Sequence, residues 1–419
     1  ERYGTIEARL TLAAETGVAL RAEGEIRPAT GQIPAEFQAL TGDTFRAALS
    51  ARWDGASRWS VDSLRLETQK PVIEIGGNYD AETQALASRA AVQFDDLSSL
   101  DPLTGLQLAG GAVLSATVAG PIHQPEADVQ IQLEKPRVAD VSAERVTATL
   151  RVVPLEPFAG SLPPLRITAG GQGSDWIHHA TPAFQEKRLS WTFAGAAGPS
   201  SMITIQNLDI RGTDFAARIA GTADYAIPSA SLTIDGAVSR LQRFKELIDT
   251  PLDGSLQFRV DLEGHSRNRS LASAFHATVK NLKGLPGLPA VLAGPETVLN
   301  GRAVLSHGHE ISIPSFQMKS AAGSLTGNAT AAPAEKSFGA EWKFSLPRLA
   351  GLPLWPGHKI SGSLSGTGQA QGTWPGAALE IRLRTEDLAL DGIVPGQASV
   401  TLRSQNVFQK PQAICKSLS

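Results

Sequence analysis

The chain has 419 residues, of which 38 are basic and 41 acidic, giving a formal net charge of −3. This balance excludes the basic surface that attracts nucleic acid, so we expect no nucleic-acid partner. With 40 Gly, 26 Pro, 42% hydrophobic residues and one Cys, the chain is neither disulfide-stapled nor disordered, and the single Cys fits an oxidising compartment, although many cytosolic proteins are also poor in Cys.

Three blocks repeat along the chain, at residues 61–120, 205–264 and 313–372. Each block opens on a motif with apolar residues at its second, fifth and seventh places, namely SVDSLRL, TIQNLDI or SIPSFQM. A strand with a glycine at each end and nine residues between them follows 49 positions after the first apolar residue in every block. This constant spacing predicts a repeat architecture. The three glycine-bounded strands are Gly110–Gly120, Gly254–Gly264 and Gly362–Gly372.

A leucine-rich, proline-marked stretch precedes each glycine-bounded strand. In the second copy Leu241, Phe244, Leu247 and Ile248 fall at helical spacing, which predicts a short helix or turn that caps the sheet.

The interval between blocks is not constant, and the first interval is 36 residues longer than the second. The surplus falls at about 154–199, which is either an insertion between units or an extra hairpin. The stretch 405–419 departs from the pattern and is expected to be an irregular tail on a single elongated unit spanning 1–419.

Strict alternation of apolar and polar residues predicts the strands. In SLQFRVDLE the residues Leu256, Phe258, Val260 and Leu262 alternate with polar residues, so the strand has one dry and one wet face. Gly and Pro turns about every ten residues favour an antiparallel meander. We therefore predict an all-β fold: an elongated, repetitive antiparallel sheet curled into a taco-like hydrophobic groove, with a string of β-sandwiches as the alternative. The many Ala and Gly residues on the dry face favour the groove, because they fill a self-packed core sparsely.

No catalytic motif is recognisable in the sequence, so the chain is predicted not to be an enzyme and to need no metal or cofactor. His307, His309 and Glu310 lie in a turn, and His178 and His179 have no cysteine or carboxylate cluster beside them. Nucleophile elbows of the G-x-S-x-G type do not occur. The glycosylation-like triplets at Asn268 and Asn328 are expected by accident.

Two segments resemble the TamB family, the inner-membrane subunit of the translocation and assembly module, and the wider AsmA-like group. They are LTGDTFRAALSARWDGASRWSVDSLRLET (40–68) and LAGPETVLNGRAVLSHGHEISIPSFQMKSAAGSLTGNAT (292–330), the latter followed by GLPLWPG and a glycine-bounded strand. The likeness extends from about 40 to 402. It implies a twisted, taco-shaped sheet in the periplasm of a diderm bacterium that carries phospholipid between the inner and outer membranes. It also implies an inner-membrane anchor and an outer-membrane β-barrel partner, both engaged through parts outside this chain.

We thus expect a periplasmic hydrophobic conduit for phospholipid acyl chains that supports outer-membrane biogenesis. The alternatives are a β-rich scaffold or chaperone that assists the insertion of outer-membrane β-barrel proteins, a polysaccharide-binding solenoid, which the low aromatic content disfavours, and a face that only packs as a core. The residues expected to contact lipid are Leu114, Val118, Leu256, Phe258, Val260, Leu262, Phe275, Val279, Leu364, Ile381 and Leu383.

Overall fold

A computed structural model of the chain describes residues 5–14, 17–27, 45–68, 71–158, 163–179, 185–198, 200–224, 226–244, 252–267, 269–284, 294–306, 309–350, 358–373, 376–405 and 412–418. Contacts divide the chain into two units, Glu1–Thr213 and Asp214–Ser419. The sequence predicts one unit instead, and the observed boundary falls inside the second repeat block, between two of its strands.

The first unit is an antiparallel meander. Consecutive strands pair, except that the two-residue strand β9 bridges β8 and β11 while β10 pairs with β8. A 3₁₀ helix at Leu97–Leu100 and a one-turn helix α1 at Asp101–Thr104 precede β7. Its strands are β1 Thr5–Ala14, β2 Val18–Arg27, β3 Phe45–Trp53, β4 Arg58–Glu67, β5 Pro71–Asp80, β6 Ala85–Phe94, β7 Leu108–Pro121, β8 Glu126–Val138, β9 Val141–Ser142, β10 Arg145–Pro154, β11 Leu165–His178, β12 Gln185–Ala197 and β13 Met202–Arg211.

The second unit is also an antiparallel meander, in which each strand pairs with the next. Two 3₁₀ helices lie at Leu241–Phe244 and Pro333–Glu335. Its strands are β14 Phe215–Asp224, β15 Ser229–Val238, β16 Asp253–His265, β17 Ser270–Lys283, β18 Glu296–Ser306, β19 Glu310–Ser320, β20 Ser324–Ala332, β21 Ser337–Leu346, β22 Ile360–Thr373, β23 Gly376–Leu390, β24 Ile393–Gln405 and β25 Gln412–Leu418.

The predicted fold class is confirmed: the protein is all-β, antiparallel and repetitive. The connection between the first two blocks holds the strands β8–β12, and that between the second and third holds β17 and β18, so the surplus of 36 residues corresponds to two further long strands and the short β9. The stretch predicted to be an irregular tail contains β25, which extends the sheet by pairing with β24. None of the described helices is long and apolar enough to cross a membrane.

A β-bulge explains the spacing of the block-opening motif. In β13 Asn207 pairs with Ala194 and Ile205 with Gly195, so one extra residue, Gln206, is accommodated in β13. The corresponding two-residue gaps, between Val61 and Leu64 in β4 and between Ile313 and Phe316 in β19, also contain bulges. Because the extra residue resets the alternation, the apolar residues on both sides of the gap point to the same face.

The first glycine of each glycine-bounded strand faces a second bulge, in the strand that follows. Gly254 has φ +125°, and the bulged residue opposite it, Asn281, has φ +53°. A Cβ on Gly254 would lie 2.6 Å from the carbonyl oxygen of Lys280. Gly110 and Gly362 repeat this geometry with Cβ positions 2.5 Å from a backbone carbonyl oxygen. Glycine is therefore required at these places both by its conformation and by the close approach of the neighbouring backbone.

Within each unit, no second layer of described residues covers the apolar face of the meander. Two sheets packed face to face would bury the inward residues of both, yet Leu256, Phe258 and Val260 are only half-buried. Buried hydrophobic residues among those described are limited to Ala112, Ala143, Val146, Leu241, Val279, Phe344, Leu346, Leu349 and Ala377. These features disagree with the β-sandwich alternative.

Candidate functional site

The strands of the second unit share one apolar face. Since directly paired residues of an antiparallel sheet point to the same side, the register defines rows of side chains that run across the strands. We call these residues of β14–β24 the apolar face of unit 2, and none of the residues described on it is charged. Its two central rows are Ala217, Gly236, Phe258, Ala277, Leu299, Met318, Leu325, Phe344, Gly366, Leu383 and Val400, and Ile219, Ile234, Val260, Phe275, Gly301, Phe316, Gly327, Trp342, Gly368, Ile381 and Leu402.

Nine of the eleven residues predicted to contact lipid lie on this face, in two groups. Leu256, Phe258, Val260 and Leu262 of β16 lie beside Phe275 and Val279 of β17, with Leu256 opposite Val279 and Val260 opposite Phe275. Leu364 of β22 and the β23 residues Ile381 and Leu383 form the second group, and β18–β21 separate the two.

The other two predicted residues, Leu114 and Val118, lie in the first unit. Leu114 is paired with Val92 on one side and Ile131 on the other, so it belongs to an apolar row of that unit. Val118 lies four residues further along the same strand, between Ser88 and Ala127 on the neighbouring strands, with Ala116 between it and Leu114 on the same face. Both side chains are half-buried.

Sequence reasoning missed the residues that join the two groups. Leu299, Phe316, Met318, Leu325 and Phe344 fill the rows between β17 and β22. Their alternation is visible in the sequence, but the bulge in β19 shifts the register by one residue, which hides the row from a simple reading of period two.

The opposite face of unit 2 is charged and carries ion pairs between neighbouring strands. Arg259 lies 3.7 Å from Asp235 and 3.6 Å from Asp261. Glu380 accepts hydrogen bonds from Arg403 and Arg382, both at 2.9 Å, and these two guanidinium groups, Arg403 first, lower the pKa of the Glu380 carboxyl. The sheet therefore separates a hydrated face from an apolar one.

The two long edges of the apolar face differ. At the edge where β16 and β22 begin, Leu241 of the 3₁₀ helix is buried, and Leu349, 3% exposed, packs with Phe344 and Leu346. These leucines cap that edge, as predicted from the spacing around Leu241; Leu247 and Ile248 lie outside the described residues. At the opposite edge, which we call the open edge, Leu271 is 42% and Ile311 40% exposed.

A buried carboxylate fixes the cap to the sheet. Asp214, 8% exposed, accepts hydrogen bonds from Arg240 Nε at 2.7 Å, from Arg240 Nη2 at 3.0 Å, and from Arg243 at 3.2 Å. Ser239 contributes a further hydrogen bond at 3.3 Å. The side chain of Arg240 has the largest effect on the pKa of Asp214 and, with Arg243 and Ser239, lowers it despite the opposing desolvation.

We predict that Asp214→Asn lowers the free energy of unfolding of the second unit by about 1–2 kcal/mol at pH 7, because charged hydrogen bonds are lost. A carboxyl whose pKa is lowered by folding stabilises the protein above its unfolded pKa, about 3.9, and this contribution disappears as the pH falls through the folded value. The advantage of the wild type over the variant should therefore begin to decrease below about pH 4 and be smaller at pH 3 than at pH 7. Urea unfolding at pH 7 and pH 3 checks this, with the exposed Asp235→Asn as a control; equal stabilities at pH 7 would contradict it.

The histidines singled out in the sequence do not assemble a metal site within the described residues, where no group of three His, Cys, Asp or Glu has the geometry to hold an ion. His309 and Glu310 are exposed, and His307 lies outside the described part of the chain. His179 Nε2 is 3.0 Å from Ser142 Oγ. Nδ1 of His178 is buried without a hydrogen-bond partner.

The polar residues Glu186, Asn328 and Cys415 lie on separate strands, β12, β20 and β25. Glu186 is buried, and its carboxylate accepts the backbone N–H of Thr213 at 2.9 Å. Asn328 is exposed, Asn268 lies outside the described residues, and Cys415 of β25 pairs with Leu402.

No protein-family model matches this chain, and no curated protein matches it either. The relationship to the TamB family therefore stays a resemblance carried by the two segments quoted above.

Proposed function

We propose that this protein is a hydrophobic conduit in which the acyl chains of phospholipids lie on the apolar faces of its sheets. The observation that carries the proposal is the apolar face of unit 2: among the described residues it crosses the strands β14–β24 without a charged side chain, and most of its side chains are partly exposed, although Val279, Phe344 and Leu346 are buried. Contiguous apolar surface that stays exposed on a soluble protein marks a site of interaction.

An acyl chain has the chemistry to cover this surface. Each CH₂ group removed from water contributes about 0.8 kcal/mol, and a bilayer offers the same gain, so transfer between bilayer and protein is close to balanced. No hydrogen bond or ion pair has to form or break as the chain moves along a row such as Ile234, Val260 and Phe275. Motion along the face therefore meets no large single barrier.

The open edge gives the headgroup a place in water. The capped edge is occupied by the leucines Leu241 and Leu349, whereas Leu271 and Ile311 at the open edge are exposed. A phospholipid oriented with its tails on the face and its headgroup at the open edge leaves no charge buried, which avoids the large cost of desolvating a phosphate.

The resemblance to the TamB family supplies the cellular setting of the proposal. In this proposal, the chain lies in the periplasm of a diderm bacterium, carries phospholipid between the inner and outer membranes, and supports outer-membrane biogenesis. The inner membrane and an outer-membrane β-barrel protein would be its partners.

Lipid analysis of the purified protein tests the proposal. The full chain, exported to the periplasm of a diderm host and purified without detergent, should yield phospholipid on organic extraction and mass spectrometry, in more than equimolar amount. A β-rich soluble protein of similar size, purified in parallel, sets the background. Recovery of lipid at that background level would reject the conduit, and co-purification of unfolded outer-membrane protein in its place would support the scaffold alternative.

A further inference from the structure

The aromatic residues of the apolar face of unit 2 share a cross-strand partner type that the sequence alone does not reveal. Strands β16–β22 place six aromatic side chains on this face, and each one is directly opposite a glycine on a neighbouring strand. The pairs are Phe258 with Gly236, Phe275 with Gly301, Phe316 with Gly327, Phe338 with Gly372, Trp342 with Gly368, and Phe344 with Gly366.

In five of the six pairs the ring occupies the place of the missing Cβ. A Cβ on Gly366 would lie 2.5 Å from Cε1 of Phe344, and one on Gly327 would lie 2.8 Å from Cε1 of Phe316. At Gly236 and Gly368 the nearest atoms are all ring atoms, of Phe258 and Trp342. The ring thus leans across the glycine and lies along the sheet.

This arrangement has a conformational cost, part of which the ring offsets by covering the glycine opposite it. Glycine in a strand interior is destabilising by roughly 0.5–1 kcal/mol relative to alanine, and a β-branched residue opposite an aliphatic one would fill a core better. Recurrent glycines opposite the bulkiest side chains instead keep those side chains low. If a Cβ were present, the ring would have to rotate about χ1 and stand away from the sheet.

We infer that the glycine–aromatic pairs set the depth of the channel above the apolar face, and so determine which molecules pass along it. The inference rests on the proposed function. Low rings leave a shallow, smooth path for linear, unbranched acyl chains, and Gly236 and Gly368 are specificity-determining residues although they contribute no side chain. They lie in the two central rows, near opposite ends of the face, so that any chain moving along it crosses them.

Single methyl groups test this. In the double variant Gly236→Ala/Gly368→Ala, the rate at which fluorescent phospholipid loads from phosphatidylethanolamine/phosphatidylglycerol vesicles should fall about tenfold, the effect of a barrier of about 1.4 kcal/mol. Neither glycine has a positive φ, so the backbone accepts alanine. Gly339→Ala is the matched control, because Gly339 lies on the polar face with its nearest neighbour, Thr330 Oγ1, at 3.3 Å.

A rescue separates channel depth from loss of folding. Adding Phe258→Leu and Trp342→Leu to the double alanine variant removes the raised rings and should restore loading to within about twofold of the wild type. A loading rate unaffected by the two alanines, or a loss that the two leucines do not recover, would overturn the inference. If the wild type itself takes up no lipid, the proposed function fails instead, and the two failures are thereby distinguished.

Discussion

The variant Phe258→Arg is expected to load phospholipid about tenfold more slowly than the wild type. Phe258 lies in a central row of the apolar face of unit 2, between Gly236 and Ala277. An arginine there would be covered by any acyl chain lying on the face, and a charged side chain surrounded by hydrocarbon costs about 2.5–3.5 kcal/mol. Part of this cost is relieved when the long side chain reaches water, which leaves an effect of about one order of magnitude.

The control for this variant comes from the neighbouring position. Gln257→Arg adds the same charge to the same strand, but on the face that carries Arg259 and Asp261. It should load lipid within about twofold of the wild type. Both variants should keep a β-rich circular dichroism spectrum, because neither position has a positive φ. Equal loading by the two variants would show that the apolar face does not receive the lipid.

The second large effect concerns stability. Gly254→Val is expected to lower the free energy of unfolding of the second unit by about 2–4 kcal/mol. Two causes act together: the φ of +125° is unfavourable for a β-branched residue, and the new Cβ would lie 2.6 Å from the carbonyl oxygen of Lys280. The strain falls on the bulge in β17 that lies opposite Gly254.

Hydrogen exchange measures this effect locally, which matters because a protein of two units need not unfold in one step. Protection of the backbone amides of β16 and β17 should decrease in Gly254→Val. In Gly264→Val, at the other end of the strand, φ is not positive and the nearest atom is a side-chain carbon of Leu271 at 3.4 Å, so protection should change little. Equal losses in both variants would contradict the role assigned to the bulge.

The sequence was sufficient to predict the strands and their two faces where alternation is regular. The apolar residues from Leu256 to Leu262 were correctly predicted to share one face, because side chains along a strand alternate between faces whatever the neighbouring strands are. Gly254 was recognisable in the sequence as a repeated feature. Glycine is required there because of the bulge at Asn281 in the next strand, and the sequence of β16 alone does not show how the two strands pair.

Cross-strand partners were the part that could not be predicted. Phe316 lies opposite Gly327 only because the bulge in β19 shifts the register, and the same shift brings Met318 beside Leu325. The repeat motif has apolar residues at its second, fifth and seventh places. The sequence does not explain this spacing, but the pairing of the strands shows that a β-bulge lies between the second and fifth places. The register depends on both strands of a pair, and so does the pairing of glycines with aromatic residues.

The most direct test of the account is to find where an acyl chain lies on the protein. A photo-cross-linking amino acid at Val260 or Ile381, on the apolar face, should capture phospholipid when irradiated in living cells of a diderm host. The same amino acid at Gln257 or Arg382, on the polar face, should capture none. Lipid adducts confined to the first pair are the predicted result, and lipid adducts of equal yield at both pairs, or none at either, would contradict the proposal that the apolar face is a conduit for phospholipid.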